Sequence, residues 1–343
     1  MDLKLLKFKK VEIFLFQSFF VVRYTIRLDY AIIIQRIGCM ISRYNQFNTW
    51  LKNKFGERTL KICIDGGFSC PNRDGTKGCG GCIFCGERGS GENTKRIDIS
   101  TQVKNHLNSY KADRAHKFIA YFQNFSNTYD KVDVLQKRYN SALIDDRIVA
   151  LGVATRPDCI NENVVKLLKE YTKKYYVYVE LGLQTSNESV AQKFNRGYSN
   201  EEFIKAVNLL NKYNIDIVTH IMVGLPYEEE SDINNTVKFI NSLNIMGVKI
   251  HSTYIIKNTM LESLYKAGKY TPISLDYYVD NVCNIISNLR PDIVVCRITG
   301  DAPKDILVEP KWNARKKIVL NSINKNLEQR DICQGDKYIK INN

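Results

Sequence analysis

Between Asp65 and Gly86 the chain reads Asp-Gly-Gly-Phe-Ser-Cys70-Pro-Asn-Arg-Asp-Gly-Thr-Lys-Gly-Cys79-Gly-Gly-Cys82-Ile-Phe-Cys85-Gly, so four of its ten cysteines fall within sixteen residues. Glycines on both sides let the backbone fold tightly around something bulky. Thiolates this close either pair with one another or bind a soft metal, and overlapping C-x2-C pairs close loops too tight for a good disulfide framework. A tetrahedral zinc site generally takes two C-x2-C knuckles a dozen or more residues apart, and the second knuckle is missing. Iron–sulfur ligation is therefore the favoured reading, with zinc and purely structural thiols as the alternatives. Cys79, Cys82 and Cys85 mimic part of a ferredoxin run, except that the Cys-Pro pair, Cys70-Pro71, lies upstream. A second triple, Cys70-x11-Cys82-x2-Cys85, also supplies three thiolates and leaves one iron with an open position.

The rest of the chain alternates strand and helix. Apolar runs at Leu60–Asp65, Phe118–Gln123, Arg147–Thr155, Tyr175–Gln184, Ile215–Gly224 and Val248–Ile256 read as strands. Amphipathic segments follow them, one of them opened by an Asn161 N-cap, and a first short helix runs from Asn48 to Phe55. Apolar strands alternating with helices predict a parallel sheet covered on one face, and six such units with right-handed crossovers predict an α/β fold, a partial (βα)6 TIM-type barrel. The cysteine loop follows the first strand, at the end where such barrels place their chemistry. One more strand is expected at Asp292–Ile298 and a basic helix at Ala314–Leu327.

Residues 1–39 are apolar and basic, but Arg23, Arg27 and Asp29 interrupt the run before it could span a bilayer, and no signal-peptide cleavage site follows. They are expected to be a non-native or disordered extension, with Met40 as the natural start. Residues 43–290 are expected to form the barrel and 291–343 a basic C-terminal extension. Lys and Arg outnumber Asp and Glu by 50 to 36, a net +14 that suits a polyanionic partner, and the excess is still +10 without residues 1–39. Ten cysteines with no paired framework fit a reducing cytoplasm, and no membrane partner is expected.

The Asp-Gly-Gly-Phe-Ser-Cys-Pro-Asn-Arg-Asp-Gly-Thr run, followed by Gly-Gly-Cys-x-Phe-Cys, resembles the YhcC/YtqA group of radical S-adenosylmethionine (SAM) proteins, relatives of the Elongator catalytic subunit. The resemblance covers about residues 43–331. It implies that Cys70, Cys82 and Cys85 hold a [4Fe-4S] cluster, while Cys79 occupies a position the family pattern does not require. The fourth iron would chelate the amino and carboxylate groups of SAM. An electron from a flavodoxin or ferredoxin would then cleave the sulfonium to a 5'-deoxyadenosyl radical.

Further site residues follow from the same resemblance. Phe84 matches the aromatic beside the adenine. The segment 123–128, with Asn127 and Thr128, stands where radical SAM barrels hold the methionine amino group, although the usual glycines are missing. Thr155-Arg156-Pro157-Asp158 matches an Elongator-like motif, and Ala154 stands where relatives often carry a glutamate. In the related coproporphyrinogen-oxidase branch the residues matching Gln184 and Arg196 hold the SAM ribose and carboxylate, chemistry suited to an amide and a guanidinium. His220 lies where that branch has an acidic SAM ligand and is either such a ligand or a core histidine. His251, Tyr254 and Lys257 close the sixth strand, where they would face substrate.

For this group the resemblance implies action on the tRNA wobble uridine, converting 5-carboxymethylaminomethyl-(2-thio)uridine to the 5-aminomethyl form. A radical suits that task because the carboxymethyl C–H is not acidic. The alternatives are a radical SAM step on another RNA or small metabolite, and a non-catalytic metal-binding RNA adaptor.

Overall fold

The computed structural model describes residues 42–339 apart from 90, 92, 93 and 111. The expectations for 1–39 and for Met40 lie outside the described residues. Seven strands, β1 (Thr59–Ile64), β2 (Lys117–Phe122), β3 (Ile148–Thr155), β4 (Tyr176–Gln184), β5 (Asp216–Val223), β6 (Gly247–Ser252) and β8 (Val294–Arg297), form one parallel sheet in that order. On the outer face pack the amphipathic helices, among them α3 (Val132–Asn140), α4 (Glu162–Tyr171), α6 (Asn200–Lys212), α7 (Glu230–Asn241) and α9 (Leu275–Asn288).

Side-chain parity shows how the sheet is shaped. Val177, Val179, Leu181 and Leu183 of β4 point outward into the helical core, while Tyr178 joins the inner cluster with Ile119, Tyr121, Ala150, Ala154 and Val218. Lys61 on β1 and Lys249 on β6 both reach the carboxylate of Glu180 on the central β4. Strands three positions apart in a flat sheet would lie ~14 Å from one another. The sheet is therefore curled into a half-barrel whose inner face closes on itself. Helix α1 (Phe47–Phe55) plugs the end where the strands begin, with Phe47 and Leu51 buried against the inner cluster.

The register leaves room for that cluster at one residue. Gly152 sits opposite Tyr178, and a Cβ there would lie 2.5 Å from the Tyr178 hydroxyl. Gly152→Ala is expected to cost about 1–3 kcal/mol by overpacking, read as a lower urea midpoint at unchanged slope.

Asn161 does cap α4, accepting from Val164 N at 3.1 Å. The sixth strand is shorter than expected. β5 turns away at Gly224 (φ 86°), so nothing remains for the chain to pair with beyond Thr253. Ile255–Ile256 instead forms β7, antiparallel to β9 (Leu307–Glu309). The segment from 291 onward, expected as an extension, supplies the last strand of the sheet, and its helix α10 (Lys316–Gln329) buries Val319, Ile323 and Leu327 in the same outer core. The short helices α2 (Ile99–Leu107), α5 (Glu188–Lys193) and α8 (Met260–Lys266) were not expected from periodicity.

Candidate active site

Where the strands end, the loop carrying the cysteines folds over the half-barrel mouth, and polar contacts fasten it there. The Arg73 guanidinium donates to the carbonyls of Cys85 (2.8 Å) and Gly86 (2.6 Å) and lies over the Phe125 ring. Asn195, in the left-handed region at φ 61°, donates its side-chain amide to Gly81 O at 2.8 Å, while Asn72 Nδ2 donates to Asn195 O at 2.6 Å. Ile83 N bonds Phe194 O, so the loop docks on the end of α5.

Beneath the loop lies a cavity of about 240 Å³. Cys70, Cys82 and Cys85 line it at one end, together with Phe84 and Arg73. Burial, reinforced by the nearby Cys85 and Cys70, pushes the Cys82 thiol up to about 12 despite Arg156 and Arg73. Cys79 is exposed and lies outside the lining. The three thiols line one cavity together. A multi-iron cluster with three protein ligands fits that arrangement.

The other expected residues divide into those at the cavity and those behind it. Gln184 lines the cavity at a bulge ending β4, in the left-handed region (φ 63°), and its side-chain Oε1 accepts from Tyr198 Oη at 3.1 Å. A polar side chain held in this sparsely populated conformation at a mouth is characteristic of a ligand clamp. His220, His251 and Tyr254 also line the cavity. Lys257 does not; its Nζ donates to Asp305 O at 3.0 Å. Arg196 is 1% exposed and donates to the carbonyls of Leu183, Thr185 and Tyr198, so it shapes the loop after β4. Asn127 Nδ2 donates to Ala154 O at 2.7 Å and Thr128 Oγ1 to Cys159 O at 2.8 Å, which places both behind the wall. From that segment Gln123, Phe125 and Ser126 face the cavity instead.

The far end of the cavity carries a polar network. Glu180, with no exposed side-chain surface, accepts from Lys61 Nζ (2.9 Å), Tyr121 Oη (2.6 Å), Lys249 Nζ and His220, whose Nε2 lies at 2.7 Å. The two lysines hold the Glu180 carboxyl well below its usual range despite burial. Dehydration, helped by the Lys249 charge, pulls His220 down to about 4. An imidazole neutral in the folded state and protonated in the unfolded one contributes stability above pH 6.5 that is lost as pH falls toward 4. Urea midpoints are expected to decline between pH 7 and pH 5, and His220→Gln to flatten that decline.

Lys61, Tyr121 and Lys249 were missed in the sequence. The available signal was a polar side chain at the inward parity of an otherwise apolar strand, repeated on five strands.

A half-barrel with a three-thiol loop at its mouth defines the class of radical SAM enzymes. A family model described as "Radical SAM superfamily" matches residues 74–240, and one described as "Radical_SAM C-terminal domain" matches residues 245–329. The chain is 40% identical over 304 residues to YtqA of Bacillus subtilis, covering 87% of this chain and 94% of that protein. It is 33% identical over 270 residues to YhcC of Escherichia coli K12, covering 78% and 87%. Among solved structures, the archaeal Elp3 of Methanocaldococcus infernus superposes with a TM-score of 0.61 at 18% identity, over 80% of this chain and 64% of that one. The chain belongs to the radical SAM superfamily, with YtqA and YhcC among its relatives. It is an enzyme whose cofactors are a [4Fe-4S] cluster and SAM, and its chemistry needs an electron donor. Among the described residues no helix is long and apolar enough to cross a membrane.

Proposed function

We propose that the chain modifies the wobble uridine of tRNA in the cytoplasm, converting 5-carboxymethylaminomethyl-(2-thio)uridine to 5-aminomethyl-(2-thio)uridine. The observation that carries this reading is a single cavity with three thiols at one end and a buried polar network at the other. In it Cys70, Cys82 and Cys85 hold the cluster. The cluster and SAM supply, when bound and reduced by a flavodoxin or ferredoxin, a radical able to abstract hydrogen from an unactivated C–H bond.

This chain's side chains do the rest. Phe84 offers a ring face for a purine, packed 5.4 Å from Phe194. Gln184 presents an amide at the mouth. Arg196, Asn127 and Thr128 act by holding the loops from which Gln184, Gln123 and Ser126 project. Met222 and Ile256 add apolar surface to the cavity wall. His220 meets the substrate side as a neutral imidazole anchored by Glu180. The +14 charge supports a nucleic-acid partner.

Nucleoside mass spectrometry of tRNA from a deletion strain tests the reading. The 5-carboxymethylaminomethyl forms should accumulate and the 5-aminomethyl forms disappear. Unchanged wobble uridines would leave a radical SAM enzyme acting on another RNA or a small metabolite.

A further inference from the structure

Behind the floor of the cavity, two lysines that do not themselves line it share one cavity-lining carboxylate. Lys61 and Lys249 form ion pairs with the same carboxylate, Glu180, and among the described residues with no other. Arg297 pairs with Asp301 at 3.0 Å, a carboxylate it shares with Lys316. Buried charge without a full counter-charge is costly unless something completes it. Beside this surplus stands an unused hydrogen-bonding group. His251 lines the cavity with its ring centroid 5.1 Å from that of His220, and its buried Nε2 has no hydrogen-bond partner. Ser252 and Tyr254 extend the same wall.

We propose that this floor is a carboxylate-binding subsite, in which His251 and His220 contact an acidic group of the substrate and the surplus charge of Lys249 draws it in. The inference rests on the reading that substrate enters this cavity, and it gives the substrate's chemical class: a small group ending in a carboxylate, presented with its other end toward the cysteines. Burial keeps His251 well below the usual histidine range, and dehydration outweighs Glu180 in pulling Lys249 down to about 7. Tyr121, hydrogen-bonded to Glu180 and 3.2 Å from Lys249 Nζ, positions the lysine rather than the ligand.

Calorimetric binding to the reconstituted full-length protein holding SAM tests this, with sarcosine as the probe and methylamine as its carboxylate-free control. Sarcosine should bind and methylamine should not. Affinity for sarcosine should fall at least about tenfold in His251→Leu and in Lys249→Met, the scale of a lost hydrogen bond to a charged group. Melting temperatures of both variants show that they are folded. Equal binding of the two probes, or undiminished affinity in His251→Leu and Lys249→Met, would overturn the proposal. So would sarcosine binding only when SAM is absent, because the floor would then be taking the cofactor's own carboxylate. Sarcosine binding in a protein whose deletion leaves tRNA unchanged keeps the subsite and removes the uridine reading, so the two fail separately.

Discussion

Cys82→Ser is expected to abolish cluster assembly and bring SAM cleavage down to background, whereas Cys79→Ser should leave both intact. The contrast follows from where the loop puts each thiol. Cys82 is packed between Arg156, Arg73 and the two other cavity-lining thiols, and no other cysteine can reach its place without undoing the Asn72 and Asn195 hydrogen bonds that dock the loop. Cys79 is exposed, and it is its backbone that serves the loop, bridging to Asp74 and accepting at its carbonyl from Asn195 Nδ2 at 3.3 Å. Iron and sulfide content after anaerobic reconstitution, with release of 5'-deoxyadenosine, measures the difference. Loss of iron in Cys79→Ser with retention in Cys70→Ser would move the ligand set to the contiguous triple.

Glu180→Leu is expected to be the most destabilising substitution in the barrel, by about 3–5 kcal/mol. The leucine fills similar volume, so the cost is electrostatic. It strands Lys249, which has 5% of its side chain exposed, and Lys61 with no counter-ion, and it removes the acceptor of Tyr121 and the partner of His220. Coupling the change to Lys249→Met should restore much of the loss, because removing both members of a buried pair avoids the unpaired charge. Urea denaturation of the two single variants and the double variant reads the coupling. Additive losses would mean that Glu180 and Lys249 do not act as a pair.

Much of the fold was legible because its strands are apolar and its helices amphipathic with good caps, as at Asn161 and in the Ser199/Glu202 capping box. The cysteine loop was legible because its spacing is local, although that spacing leaves two triples open and only the family resemblance picks out Cys70, Cys82 and Cys85. What stayed hidden was set by tertiary geometry. That Arg196 would turn inward to three carbonyls, and that Gln123 and Ser126 rather than Asn127 and Thr128 would face the cavity, depends on how two loops leave their strands. The split of the sixth strand depends on Gly224 in its neighbour. The Glu180 network draws on five strands far apart in sequence, and each of its members alone looks like an ordinary polar interruption.

The central claim is that three cysteines hold an iron–sulfur cluster with one iron left for SAM. Electron paramagnetic resonance of the reduced, anaerobically reconstituted protein, recorded with and without SAM, tests it most directly. The account predicts a [4Fe-4S]+ signal at about four irons per chain whose shape changes when SAM is added. A signal indifferent to SAM, or a protein that takes up a single redox-silent ion on all four neighbouring sulfurs, would contradict it.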